Sequence, residues 1–309
     1  GLALLTVLPE LLPDAFTGLL ISVVVYAIGG GMLDVILSPI MEACPTDNKQ
    51  THMSLLHSFY CWGYMGVVLL STAFFACFGL KNWKFLALLW AAVPLANLVV
   101  FAGAPLYAPQ TAENSGFAPV QLLRKKQFWV LLFMMLCAGA SEQAVSQWSS
   151  AFAEQGLGVS KTVGDLAGPM AFAAMMGVSR LIFGKYGEKL NLNRYMAVCA
   201  ALCVGAYLCI VFVPSPVLSL LGCAVCGFSV GIFWPGTFSR ASASIRGGGT
   251  QMFALLALAG DLGCAGGPTL AGLVSDACGG ALRAGILAAI IFPLLMLLCM
   301  LLVRKQRGA

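Results

Sequence analysis

Charge is scarce in this chain. Only 9% of its 309 residues are Asp, Glu, Lys or Arg, against roughly a quarter in a water-soluble domain, and that shortage excludes a soluble fold. The patterns of membrane-embedded catalysis are missing too: there is no H-E-x-x-H zinc pair, no G-x-S-x-G nucleophile elbow and no phosphate-binding loop. An enzyme built on His57, Asp34 and Glu142 is set aside on that ground. A receptor would be expected to append a soluble domain, whereas the sequence runs out at Arg307-Gly308-Ala309. Twelve cysteines are present, but ten or so fall inside apolar runs, where Cys behaves as a small hydrophobe. Cys223 and Cys226 form a C-x-x-C in a helix centre without a second pair or a nearby His, which supports neither zinc nor redox chemistry. No metal and no cofactor are expected.

What the chain has is apolar length. Hydrophobic residues make up 60% of it, in unalternating runs of about 20 residues, the length that crosses a bilayer as an α-helix; strands of a membrane barrel alternate over about ten. Only helices and closed barrels satisfy their backbone groups in hydrocarbon. The runs predict an all-α polytopic membrane protein with nine full spans near 16–41, 53–78, 84–106, 127–150, 163–184, 194–213, 216–237, 251–274 and 283–303. Leu2 to Leu8 is apolar but too short to cross, and no basic region or cleavage site precedes it. The start reads as a cut edge.

Lys and Arg near span ends mark the cytoplasmic side. Alternate connections beginning with 42–52 hold Lys49, Arg124, Lys125, Lys126, Lys185, Lys189, Arg194, Arg240 and Arg246, with Arg304, Lys305 and Arg307 at the C-terminus. The opposite connections hold Lys81, Lys84, Lys161 and Arg283. This twelve-to-four imbalance predicts a cytoplasmic C-terminus in a plasma membrane and explains the basic net charge without nucleic acid. The connection 107–127 carries Pro, Asn, Ser and Gly and ends in Arg124-Lys125-Lys126, as a linker between two bundles does. It separates an incomplete N-terminal bundle, 1–106, from a six-helix bundle, 128–309. A weak repeat agrees: GGGMLDVILSP, a loop and HSFYCWGYMG mirror CGFSVGIFWPG, a loop and LALAGDLGCAGG. Parallel repeats of this kind are a transporter plan with the solute site between them.

A carboxylate in hydrocarbon costs about 2.5 to 3.5 kcal/mol on insertion scales, so each intramembrane acid asks for a reason. Asp34 lies in YAIGGGMLDVILSPIMEA, towards the cytoplasmic end of its span, as a proton carrier or a static hydrogen-bonding group. Glu142, Ser146 and Ser149 recur on one stripe of a helix and Gln143, Gln147 and Ser150 on the next. Such a stripe must line a cavity or another helix, and with Trp148 its chemistry suits hydroxyl-rich solutes. Asp261 sits among Gly260, Gly263, Gly266 and Gly267, which permit close helix approach; it is substrate-facing or partnered within the protein. His57 shares a stripe with Cys61 and Tyr64, with Tyr60 and Trp62 turned elsewhere. A lone membrane His is more often a structural hydrogen-bonder. In GIFWPGTFSR, next to the cavity candidate Trp234, Pro235 frees a backbone carbonyl that either coordinates substrate or only marks a kink, and a gating kink is expected.

With these features in hand, the organisation resembles the major facilitator superfamily over the whole chain, with the first two family helices and most of the third absent. The family's signature cytoplasmic loop is matched at 177–194, GVSRLIFGKYGEKLNLNR, by Gly184, Glu188 and Lys189, with Arg180 just before it. Asn191 stands where the final glycine is usual, and Glu188 replaces an Asp. The resemblance implies that this loop latches a conformational gate. The run GGGMLDVILSP resembles the fucose-permease branch of sugar/proton symporters, and Asp34 falls on that branch's proton-linked acid. Here the acid is Asp rather than Glu, and Ser38 rather than Asn precedes Pro39, so a fucose substrate is not inherited. The resemblance implies a monomer that imports a small sugar-like solute by alternating access, coupled to a proton. Drug or metabolite efflux on the same scaffold is the alternative, and the Ser, Gln and Glu stripe argues against it.

Overall fold

A computed structural model describes residues 1–105, 107, 117–187 and 189–305. Every regular element among them is helical. Nine helical stretches there are long and apolar enough to cross a membrane: Ala15–Ala43, Thr51–Phe78, Leu80–Ala102, Lys126–Gln155, Lys161–Tyr186, Leu192–Phe212, Pro216–Ser244, Gly249–Ala277 and Leu282–Leu301. They coincide with the nine expected spans. Of the expected linker 107–127, residues 108–116 lie outside the described residues.

Packing groups the chain into two units, residues 1–45 with 70–110 and residues 46–69 with 111–309. In the first, α1 (Leu2–Leu11) packs on α2 (Ala15–Ala43) and on α4 (Trp83–Ala102). Glu10 and Lys84 form an ion pair between α1 and α4. Asp14 caps α2 by accepting from the Phe16 and Thr17 amides at 3.2 and 3.0 Å and from the Thr17 hydroxyl at 2.5 Å. The Thr17 hydroxyl and then these amides hold the Asp14 carboxyl below its ordinary range. The cap is therefore fully present above the unfolded carboxylate range and is lost as the pH falls through the depressed value. Helix α3 (Lys49–Phe78) gives its last turns to this unit, where Trp90 Nε1 donates to Ser71 Oγ at 3.2 Å.

The second unit is built on the seam between α6 (Lys126–Ser146) and α13 (Gly249–Ala277), with α5 (Pro119–Leu123) before it. The span begun by α6 ends in a short α7 (Ser149–Ala151) and a π-turn, Phe152–Gly156. The next span opens as α8 (Lys161–Asp165) and reaches α9 (Ala171–Tyr186) through a second π-turn, Leu166–Met170. Pro169 lies inside that turn; lacking an N–H, it forces the ladder to widen there. Helices α10 (Leu192–Phe212), α11 (Pro216–Val230), α12 (Phe233–Ser244), α14 (Leu282–Ala289) and α15 (Ile291–Lys305) complete the unit. In lipid, helices gain little from hydrophobic burial against each other, so close backbone approach carries the packing. Gly263 and Gly267, one turn apart on α13, face Leu136 and Ala140 of α6, and Gly139 of α6 faces Gly260 and Cys264. A β-carbon at Gly263 or Gly267 would overlap the opposing backbone, whereas one at Gly266 would meet open space.

Gly263→Ala is expected to destabilise the protein by about 1–3 kcal/mol, the usual cost of overpacking, and Gly266→Ala to leave it unchanged. Thermal unfolding of the purified protein followed by size-exclusion fluorescence checks the contrast.

Candidate functional site

Pro235 sits in the first turn of α12 and has no N–H to give the carbonyl four residues earlier, that of Gly231. The helix is broken there, between α11 and α12. The freed Gly231 carbonyl accepts from Arg180 Nε at 2.9 Å. Arg180, on α9 and 2% exposed, reaches further: its Nη1 donates to the His57 carbonyl of α3 at 2.5 Å and to Cys61 Sγ at 3.1 Å. Its guanidinium lies 5.7 Å from the Tyr60 ring centre, within cation–π range. In turn Ser54 Oγ donates to the Arg180 carbonyl at 2.7 Å. One buried cation therefore ties α9 to α3 and to the α11–α12 break.

The remaining nitrogen, Nη2, faces Glu142 Oε2 at 3.7 Å, too long for a hydrogen bond but a close charge pair. Glu142 is 4% exposed. Its Oε1 accepts from Gln143 Nε2 at 3.5 Å, and its Oε2 has no hydrogen-bond partner. Further along the same stripe, Tyr64 OH and Ser146 Oγ are 3.0 Å apart and Ser149 Oγ donates to the Ser146 carbonyl at 2.9 Å. Ser141 and Thr237 each bury a hydroxyl without a partner, so the interior around Glu142 holds more polar atoms than its own groups satisfy.

An aromatic wall flanks this cluster. The His57 ring stacks on Phe238 at 5.7 Å and 24°, and Phe238 also meets Trp234 and Phe253 at 6.1 and 5.4 Å. A β-carbon at Gly260 would overlap the Trp234 indole, so that glycine makes the indole's seat. Trp148 Nε1 donates to the Pro268 carbonyl at 3.0 Å.

The structure thus brings together Glu142, Gln143, Ser146, His57, Trp234 and Arg180. The inner stripe running from α6 into α7, Glu142 with Ser146 and Ser149, is buried against neighbouring helices, while Gln147 is exposed and Gln143 and Trp148 are half-buried. Asp261 is exposed on α13. Asp34 belongs to the other unit, exposed on α2 one turn before buried Ser38. In the loop motif Gly184 is buried, its open face 3.7 Å from the Thr51 carbonyl, Lys189 is exposed, and Glu188 lies outside the described residues. Arg180 points inward from the helix rather than into that loop. Tyr60 was expected to turn away from His57; it lies three residues on, a spacing that puts both on one helix face, and it covers the guanidinium. Tyr60, and Arg180 as the partner of the Gly231 carbonyl, are what the sequence reading missed. The i, i+3, i+4, i+7 run of His57, Tyr60, Cys61 and Tyr64 was the available signal for Tyr60. Among the described residues no group of three His, Cys, Asp or Glu side chains could hold a metal ion.

Nine apolar helices long enough to cross a membrane among the described residues, with a buried polar cluster inside the second unit, define a polytopic helical membrane protein. The Major Facilitator Superfamily model matches residues 1–268, and the chain belongs to that superfamily. No curated protein matches it by sequence. Among solved structures, it is similar to the E. coli fucose:proton symporter FucP, with a TM-score of 0.74 at 15% identity over 97% of this chain and 80% of that one. A structure described as a Major Facilitator Superfamily transporter, FucP, in the outward conformation matches with the same TM-score and identity over 96% and 79%. At that identity the likeness is one of fold.

Replacing Arg180 by Met leaves Glu142 buried with no counter-charge, and a loss of about 3–5 kcal/mol is expected, as for one-sided removal of a buried pair. Adding Glu142→Gln to Arg180→Met should restore part of the loss. A double-mutant cycle of thermal unfolding measures the coupling.

Proposed function

We propose that the protein is a secondary active transporter that moves a small hydroxyl-rich solute, a sugar or a close analogue, by alternating access coupled to a proton. The observation that carries this reading is the polar row where α6 runs into α7. Gln143, Gln147 and Trp148 keep amide and indole groups at or near the surface of the helix, beside the tyrosine and serine hydroxyls of Tyr64 and Ser146. Amides and hydroxyls in a membrane interior recognise hydroxyls by hydrogen bonds that few other side chains supply, and a site built to make them discriminates strongly against analogues without them. Membership of the superfamily and the fold likeness to a fucose:proton symporter support the same class of activity.

In this reading residues 1–106 and 128–309 act as two bundles joined by the linker 107–127, rocking about a site between them. Asp34 carries the coupling proton. Glu142, Gln143, Ser146, Gln147, Trp148, Asp261, His57 and Trp234 line or support the solute site, and Gly184, Glu188 and Lys189, with Arg180 behind them, latch the cytoplasmic gate. The protein works as a monomer in the plasma membrane with its C-terminus in the cytoplasm. A proton and a solute couple only if each shifts the equilibrium between the two openings.

Labelled sugars presented to proteoliposomes of the full protein are expected to accumulate faster with an acid-outside pH gradient. Asp34→Asn should reduce that uptake to the level seen without the gradient. Uptake that ignores the gradient in both proteins would refute proton coupling, and export of an apolar cation in place of sugar uptake would establish efflux instead.

A further inference from the structure

Among the described residues, two side chains that carry charge in water are buried, Glu142 and Arg180. They are not equivalent. The guanidinium is held from several sides, by the Gly231 and His57 carbonyls, by Cys61 Sγ and by the Tyr60 ring, and a guanidinium does not lose its proton in a protein. The carboxyl is held loosely. Its one hydrogen bond, from Gln143, is 3.5 Å long, its other oxygen has none, and the arginine is 3.7 Å away. A buried carboxylate oxygen with no donor is expensive, and a proton removes both the charge and the unfilled lone pair. Drawing closer to Nη2 would do the same job by a charge-assisted hydrogen bond. Glu142 thus has two ways to be satisfied, and they exclude each other.

We infer that Glu142 is a second proton-binding site of the transport cycle: it takes a proton from water when its contact with Arg180 opens and returns it when the contact closes. The inference rests on the transporter reading above but not on the identity of the solute or on Asp34. The ionisable groups around Glu142 are few. From α9 comes Arg180; from α3 come Tyr60, Cys61 and Tyr64, and from α11 Cys226, all within electrostatic reach of the carboxyl. Helix α13 contributes Cys264, which packs against Gly139 one turn before Glu142, and carries Asp261. From α10, Tyr207 OH donates to the Ser141 carbonyl at 2.8 Å. Arg180 supplies the only full positive charge in this set, so the Glu142 proton and the Arg180 contact compete directly. Because Arg180 also holds the His57 carbonyl of α3 and the Gly231 carbonyl at the helix break, the proton on Glu142 acts on both elements through one side chain.

Infrared spectroscopy of the reconstituted, solute-free protein, titrated from about pH 4 to about pH 10 across the carboxyl and thiol ranges, tests this. A protonated-carboxyl band that disappears as the pH rises is expected in the wild type. Glu142→Gln should remove that band, Glu142→Asp should move its midpoint, and Asp34→Asn should leave it in place. Glu142→Asp keeps the charge and a near-native volume, so it still reports if the Gln variant does not fold. A wild-type spectrum with no such band, or a band unchanged in both Glu142 variants, overturns the inference. Since no solute is present, failure here leaves the solute reading intact, and failed sugar uptake alongside a titrating Glu142 band counts only against the solute.

Discussion

A guanidinium buried in the middle of an apolar protein has to find partners for five N–H groups, and Arg180 finds two of them on the backbone, the Gly231 and His57 carbonyls. Its cost in hydrocarbon is several kcal/mol unless it is paired. The pairing it achieves is unusual in kind: one carbonyl comes from the helix break that Pro235 enforces, another from His57 on a helix far away in the chain, and the charge itself is balanced by Glu142. One side chain therefore spans both the Pro235 break between α11 and α12 and the approach of α3 to α9. Remove it, and a proline-freed carbonyl, a carboxylate and a helix contact are orphaned together.

Small residues make the rest of the arrangement possible. The seam of α6 and α13 closes because Gly139, Gly263 and Gly267 carry no side chain where the two backbones meet, which leaves the opposite faces of α6 to carry polar groups. Its inner stripe is then used up within the protein, while Gln147 remains exposed and Gln143 and Trp148 partly so. Specific recognition of a hydroxylated molecule needs this division of labour: some polar groups must be fixed by neighbours so that others are held in position to bind.

The crossings were legible in the sequence because twenty apolar residues in a row have few other uses, and the alternation of basic and apolar segments marks where they end. Pro235 was legible as the source of a free carbonyl for a local reason, the missing N–H four residues on. What the sequence did not disclose was the taker of that carbonyl. Arg180 read as a residue just before the gating loop and Glu142 as one member of a polar row; that they face each other is a fact about two helices packing, 38 positions apart in sequence. Tyr60 was misplaced because a helix face is wider than a single four-residue stripe. Asp34 is exposed on α2, and the choice between proton carrier and static hydrogen-bonding group, left open by the sequence, is one that uptake decides rather than contacts.

The central claim is that the polar row where α6 runs into α7 meets a hydroxyl-rich solute. Ligand binding to the native state raises thermal stability in proportion to occupancy, so a panel of sugars and apolar cations, each titrated against the unfolding temperature of wild type and of Gln147→Leu, addresses it directly. A sugar that raises the unfolding temperature of the wild type in a saturable way, with the effect lost in Gln147→Leu, is the expected result. Stabilisation by apolar cations with none from any sugar would contradict the account.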